Sequence, residues 1–235
     1  MFSLKHVIIL VISTILIVLL SIFSRKLNLK QICKIMLIVG IISEIIKIFS
    51  YILMNEETHG GTLPKSDLPF HLCSIQILFF VIINVINNDK INRFLFSFMI
   101  PSCLIGGVAA LLIPTSSSLN VWPITIQYNL YHISIIVFAI YLLASKEFTI
   151  TIKDYFNCLK MLLIMFFFAI YINSIVYDGV SNINFMYVVS PPQAGLPFLN
   201  ENNGWLTYIC HYAFLVIFCV TACYIKPIIK AIKSK

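Results

Sequence analysis

Charge is what this sequence has least of. Of 235 residues, 11% are Asp, Glu, Lys or Arg and 60% are hydrophobic, with a mean hydropathy of +0.98. That composition lies outside the soluble globular range and inside the membrane class. The seven cysteines contain no C-x-x-C pair, and their default reading is small packing residues. Cys73 and Cys210 both fall toward one membrane face, where a disulfide is chemically possible. No H-E-x-x-H spacing marks a zinc enzyme, and no repeat or low-complexity tract is present. Acidic residues are also scarce, 9 against 16 basic ones.

Long apolar runs are what is there. Crossing a hydrocarbon slab of roughly 30 Å takes about 20 residues of helix. Seven such segments are expected: Val7 to Phe23, Gln31 to Met54, Leu68 to Ile86, Phe94 to Ile113, Gln127 to Ala144, Phe156 to Tyr177 and Trp205 to Ile225. Lys5 ahead of the first run imitates a signal peptide, but no small-x-small cleavage site follows, and Ser24-Arg25-Lys26 closes the run. A retained first helix is expected. The fold class is therefore all-α: a polytopic membrane helix bundle forming one transmembrane domain over residues 1–235.

Basic residues retained on the cytoplasmic side set the orientation. Arg25, Lys26, Lys30 and Lys34 flank the first turn; Lys90 and Arg93 flank the third. Lys146, Lys153 and Lys160 flank the fifth, and Lys226, Lys230, Lys233 and Lys235 crowd the tail. The opposite side has only Lys5 and Lys65. Seven spans with the N-terminus outside and the C-terminus cytoplasmic satisfy this pattern. Contact with anionic leaflets accounts for the net charge of +7, so nucleic acid is not an expected partner.

Threaded this way, four of the five histidines and most polar side chains fall into one layer near the outer face. Glu44 and Lys47, spaced i, i+3, share a face of the second helix and form a candidate pair. His71, Cys73 and Gln76 occupy the outer turns of the third helix; Gln127, Asn129 and His132 those of the fifth; Asn173 the end of the sixth; His211 the outer part of the seventh. Ionisable groups in a bilayer cost about 2.5–3.5 kcal/mol each, so such a set normally faces the bundle interior or a wet cavity. The structural alternative gives Asn84 and Asn173 to interhelical hydrogen bonds, and Tyr128, Tyr131, Trp205 and Tyr208 to an interfacial aromatic belt.

Asp67 is a natural N-cap and Pro69 is tolerated in a first helical turn, which starts the third helix here. Cys73 then lies near a helix N-terminus, where a thiolate is favoured. On an ideal helix His71 and Cys73 point to nearly opposite sides, so the base for Cys73 is expected from another helix. His132 is the leading candidate, with Asn129 three residues earlier to orient it and His211 in reserve. A histidine activating water or a lipid hydroxyl, without the cysteine, remains the alternative. The loop from Asp178 to Gly204 is apolar and carries Asn184, Tyr187 and three prolines; it is expected either to cover the polar layer as a lid or to be an irregular packed surface loop.

Leu68-Pro69-Phe70-His71-Leu72-Cys73-Ser74, Tyr131-His132, and Asn184-Phe185-Met186-Tyr187 followed by Pro191 and Gly204-Trp205 resemble motifs of the YwaF-like bacterial integral membrane proteins. That family is distantly similar to an animal transmembrane acyltransferase that moves fatty acyl chains between phospholipids without acyl-CoA, using a cysteine. The resemblance implies acyl chemistry at the outer leaflet of a bacterial plasma membrane. It carries His71 over, whereas Cys73 stands two places after the histidine instead of beside it.

The expected function is a membrane-embedded lipid acyltransferase or acyl hydrolase acting on outer-leaflet phospholipid or lysophospholipid esters, with no cofactor. His71, Cys73 and His132 are the candidate catalytic residues. Glu44, Lys47, Gln76, Asn129, Asn184, Tyr187 and His211 support them, with Lys47, Gln76 or Asn129 steadying the oxyanion. The alternative is a small-molecule or proton-coupled carrier built on Glu44, Lys47 and the histidines, although such sites usually lie near the midplane among broken helices. A zinc site of His71, His132, His211 and Glu44 is a third possibility.

Overall fold

The computed structural model describes residues 3–54, 62–86, 88–113, 122–179, 183–192, 199 and 204–233. Among them every regular element is helical: α1 (Leu4–Ser24), α2 (Leu29–Met54), α3 (Ile75–Val85), α4 (Asp89–Leu112), α5 (Trp122–Ala144), α6 (Ile152–Val176), α7 (Trp205–Cys223) and α8 (Ile225–Lys233). Two 3₁₀ turns, Lys65–Asp67 and Phe185–Tyr187, lie outside the helices. Five helices, α1, α4, α5, α6 and α7, are long and apolar enough to cross a membrane.

Burial runs opposite to that of a water-soluble protein. In α1 the buried residues are His6, Ser13 and Ser24, while Val11, Ile15 and Leu19 are more than half exposed. The same apolar exposure continues on α2, α6 and α7. A surface this apolar suits hydrocarbon and not water.

The bundle centres on α4 and α5. Gly107 permits their close approach: a Cβ there would stand 2.6 Å from Ile136 Cγ1 and 3.3 Å from the His132 carbonyl oxygen. Gly40 does the same for α2 against α3, where a Cβ would lie 2.8 Å from Ile77 Cγ1. At the basic end, Arg93 grips Asp154 at 2.5 Å and also donates to the Thr149 carbonyl. Asp154 in turn completes the capping box of α6 with Thr151. Tyr141 and Glu147 hold the α1–α2 turn through the Leu27 carbonyl and the Leu29 amide.

Pro101 sits inside α4, where its missing N–H leaves the Ser97 carbonyl without its helical donor. The buried Tyr224 hydroxyl, from the break between α7 and α8, donates to that carbonyl. One proline thus creates the acceptor that fixes the end of α7.

The expected third helix is shorter than its apolar run. Leu68 has ψ 150°, the extended conformation favoured before proline, so the chain passes through irregular turns and reaches α-helix only at Ile75. The expected seventh helix also ends earlier, at Cys223, and a separate helix, α8, follows.

Candidate functional site

One cavity of about 390 Å³ is lined by the C-terminal half of α2, the irregular turn before α3, α4, α5, one residue of α6, the 183–192 loop and α7. Its lining includes Glu44, Lys47, His71, Cys73, His132 and Tyr187. Six of the ten expected site residues therefore share one space. The volume lies within the range of small-molecule pockets.

Glu44 and Lys47 form the expected pair, Lys47 Nζ standing 2.8 Å from Glu44 Oε2, with both side chains mostly buried. An ion pair facing a cavity keeps its charges available to a ligand while limiting the penalty of carrying them in an apolar bundle.

His71 and Cys73 line the same cavity although an ideal helix would send them apart. The reason is the irregular backbone that Pro69 imposes: Cys73 lies just upstream of α3, within turns where helical spacing does not hold. His71 Nε2–H donates to the Ser66 carbonyl at 2.8 Å, which leaves Nδ1 as the lone-pair nitrogen. The ring also packs edge-on against Phe185, with centroids 5.1 Å apart. The Cys73 carbonyl accepts from the Tyr131 hydroxyl at 2.8 Å, tying this turn to the residue beside His132.

His132 is buried on α5, and its Nδ1–H donates to the Tyr128 carbonyl at 2.7 Å. This leaves Nε2 as the lone-pair nitrogen, the arrangement a general base requires. Tyr128 packs against the ring at 4.2 Å between centroids, and its hydroxyl donates to the Ala110 carbonyl.

Four expected members do not join. Asn129 donates to the Thr125 carbonyl one turn back instead of orienting His132, whose orienting acceptor is a backbone carbonyl. His211 is exposed and outside the lining. Gln76 lies behind the wall, fully buried, donating to the Leu72 carbonyl and to Ser102 Oγ at 3.1 Å. Asn184 folds its own loop, donating to the Ser190 carbonyl and accepting from the Val189 amide. Among the described residues, no three His, Cys, Asp or Glu side chains gather closely enough to hold a metal, so the zinc alternative has no ligand set. All seven cysteines are free thiols, and no Cys73–Cys210 disulfide forms.

The aromatic belt is also corrected. Tyr131 and Tyr208 are buried, and their hydroxyls seek backbone carbonyls inside the protein. Four side chains clamp the 183–192 loop. Tyr208 donates to the Tyr187 and Ser190 carbonyls, Tyr212 to Met186, Trp205 to Val188, and Asn173 exchanges hydrogen bonds with the Phe185 backbone in both directions. Asn84 is the interhelical link its alternative reading describes, donating to the Cys33 and Phe80 carbonyls.

Clamping holds Met186 and Tyr187 at φ 57° and 53°, a left-handed conformation rarely adopted by bulky residues. Both face the cavity, as do Pro192 and Leu199. Partial burial raises the Tyr187 phenol above its usual pKa. Residues 180–182, 193–198 and 200–203 of the expected outer loop lie outside the described residues.

A family model for the TMEM164 family matches residues 1–224. The chain belongs to the TMEM164 family. Membership makes it a multi-pass membrane protein, in agreement with its apolar helices. The match names neither the YwaF-like proteins nor an acyltransferase. No curated protein and no solved structure matches the chain. Within this TMEM164-family protein, Tyr51, Asp67, Gln127, Tyr128 and Tyr212 also line the cavity. Gln127 already belonged to the expected polar layer, while Tyr51 and Tyr212 carried no sequence signal beyond residue type.

Proposed function

We propose that this protein is a seven-span membrane enzyme that transfers or hydrolyses acyl groups of outer-leaflet phospholipid esters. The supporting observation is the meeting of Cys73, His71, His132 and the Glu44–Lys47 pair in one cavity. In this reading the N-terminus is outside a bacterial plasma membrane, the basic end is cytoplasmic, the cavity opens near the outer leaflet, and the 178–204 loop covers it.

His132 Nε2 takes the Cys73 thiol proton as sulfur attacks the ester carbonyl. Lys47 stabilises the oxyanion, since Gln76 and Asn129 lie outside the cavity. The carbon–oxygen bond breaks, the glycerol oxygen recovers the proton from His132, and a Cys73 thioester remains. A lysophospholipid hydroxyl or water then gives a proton to His132 and attacks the thioester. Acyl transfer or hydrolysis follows, and the thiol is restored.

The test is ester consumption by protein reconstituted in liposomes. His132→Ala is expected to lower turnover by about 10²- to 10⁴-fold while the fold persists. The Glu44–Lys47 pair favours a second reading, a carrier that binds a small ligand. There, Glu44→Gln or Lys47→Met abolishes ligand uptake and no ester is consumed.

A further inference from the structure

Cross-contacts on α4 give the cavity a depth scale. The Tyr128 hydroxyl reaches the Ala110 carbonyl, the His132 carbonyl stands opposite Gly107, and Leu72 stands opposite Gly106. Further along, Tyr224 reaches Ser97. Cys73, one residue after Leu72, and His132 are thus attached at the level of Gly106 and Gly107.

The lining changes character across that level. Above it lie Glu44, Lys47, Gln127 and Tyr128; below it lie Ile105, Phe98, Leu162, Val216 and Val220, together with Cys219 and with Ser102, whose hydroxyl is taken up by the Phe98 carbonyl. Eight residues separate Gly106 from Phe98, about 12 Å of helix. The lower end is shut: Phe98 is 1% exposed and packs edge-on against Phe79, with centroids 5.9 Å apart, and Val220 is 3% exposed.

A phospholipid acyl chain fills one half of a hydrocarbon core of roughly 30 Å, so its length is about 15 Å. We infer that the lower cavity holds one acyl chain and that Phe98 and Val220 form a floor which measures its length. Identification of the occupant rests on the acyl reading of the site. Its chemistry also follows from the zoning, which places a polar head above the histidines and a single linear hydrocarbon below. Because the chain slightly exceeds the channel, the terminal methyl of a long chain meets the floor.

The experiment offers purified full-length protein an equimolar series of lysophosphatidylcholines, from hexanoyl to hexadecanoyl, and reads bound species by native mass spectrometry against the bulk mixture. Enrichment is expected to rise by up to about fourfold per methylene, reach a maximum, and fall for chains that strike the floor. Val216→Phe, which fills existing space above the floor, should move the maximum to shorter chains. Phe98→Leu, which recesses the floor, should move it to longer ones. A profile without a maximum, or one that both folded variants leave in place, overturns the inference. A maximum that shifts in protein consuming no ester leaves the channel standing and removes the enzymatic reading alone.

Discussion

The Tyr131 hydroxyl donates to the carbonyl of Cys73 at 2.8 Å, joining the helix that bears His132 to the turn that bears His71. The link adds to the turn's own backbone bonds, in which the Ile75 amide donates to the His71 carbonyl at 3.0 Å and the Gln76 amide to the Cys73 carbonyl at 3.2 Å. Tyr131→Phe is expected to cost about 0.5–1.5 kcal/mol, the net worth of one hydrogen bond, because the Cys73 carbonyl keeps the Gln76 amide as a donor. Thermal unfolding in detergent measures that loss, and ester turnover should fall with it even where the variant remains folded.

Tyr224→Phe probes the proline device in α4. Removing the hydroxyl leaves the Ser97 carbonyl with neither a helical donor nor a side-chain one. A loss of about 1–3 kcal/mol is expected. Combining it with Pro101→Ala, which restores an N–H to the helix, should recover part of the loss. A double-mutant cycle on unfolding free energies checks the coupling.

Two ion pairs should differ sharply in weight. Asp154 is fully buried and bound by Arg93, so Arg93→Ala leaves its carboxylate without a counter-charge, held by Thr151 alone, and should destabilise by about 3 kcal/mol. Lys65 and Asp178 lie 2.9 Å apart, with the lysine side chain half exposed. Lys65→Ala is expected to change stability by less than about 1 kcal/mol. Unfolding midpoints of the two variants, measured side by side, test the contrast.

The loop clamp makes a local prediction. Asn173 accepts from the Phe185 amide and donates to its carbonyl, so Asn173→Ala should release the 183–192 segment while the helices stay folded. Hydrogen exchange should speed up at Phe185 to Ser190 and remain slow in α4 and α5. Equal acceleration across the bundle would assign Asn173 to global stability instead.

Helix placement was readable because apolar run length and basic flanks act locally. The start of α3 was not. Asp67 and Pro69 looked like a cap and a first turn, yet proline's constraint on Leu68 held the backbone extended. That same irregularity brought His71 and Cys73 to one cavity against the angular rule. Glu44, Lys47, His71, Cys73 and His132, which helical rise puts at similar depth, line one cavity. Facing did not follow for His211, Asn129 or Gln76, since helix order around a bundle leaves no periodic mark in the chain. The roles of Tyr208, Tyr212 and Tyr224 depend on backbone carbonyls freed far away in sequence, which no local pattern encodes.

The most direct measurement of the acyl reading follows an isotopically labelled acyl chain in liposomes containing the protein, a donor phospholipid and a lysophospholipid acceptor, by mass spectrometry. Wild type is predicted to move the label to the acceptor or release it as fatty acid. His132→Ala should slow both by about 10²- to 10⁴-fold, and Cys73→Ala should remove a hydroxylamine-sensitive acyl mass from the protein. Label that stays on its donor with folded wild type across a broad range of phospholipids would contradict the account.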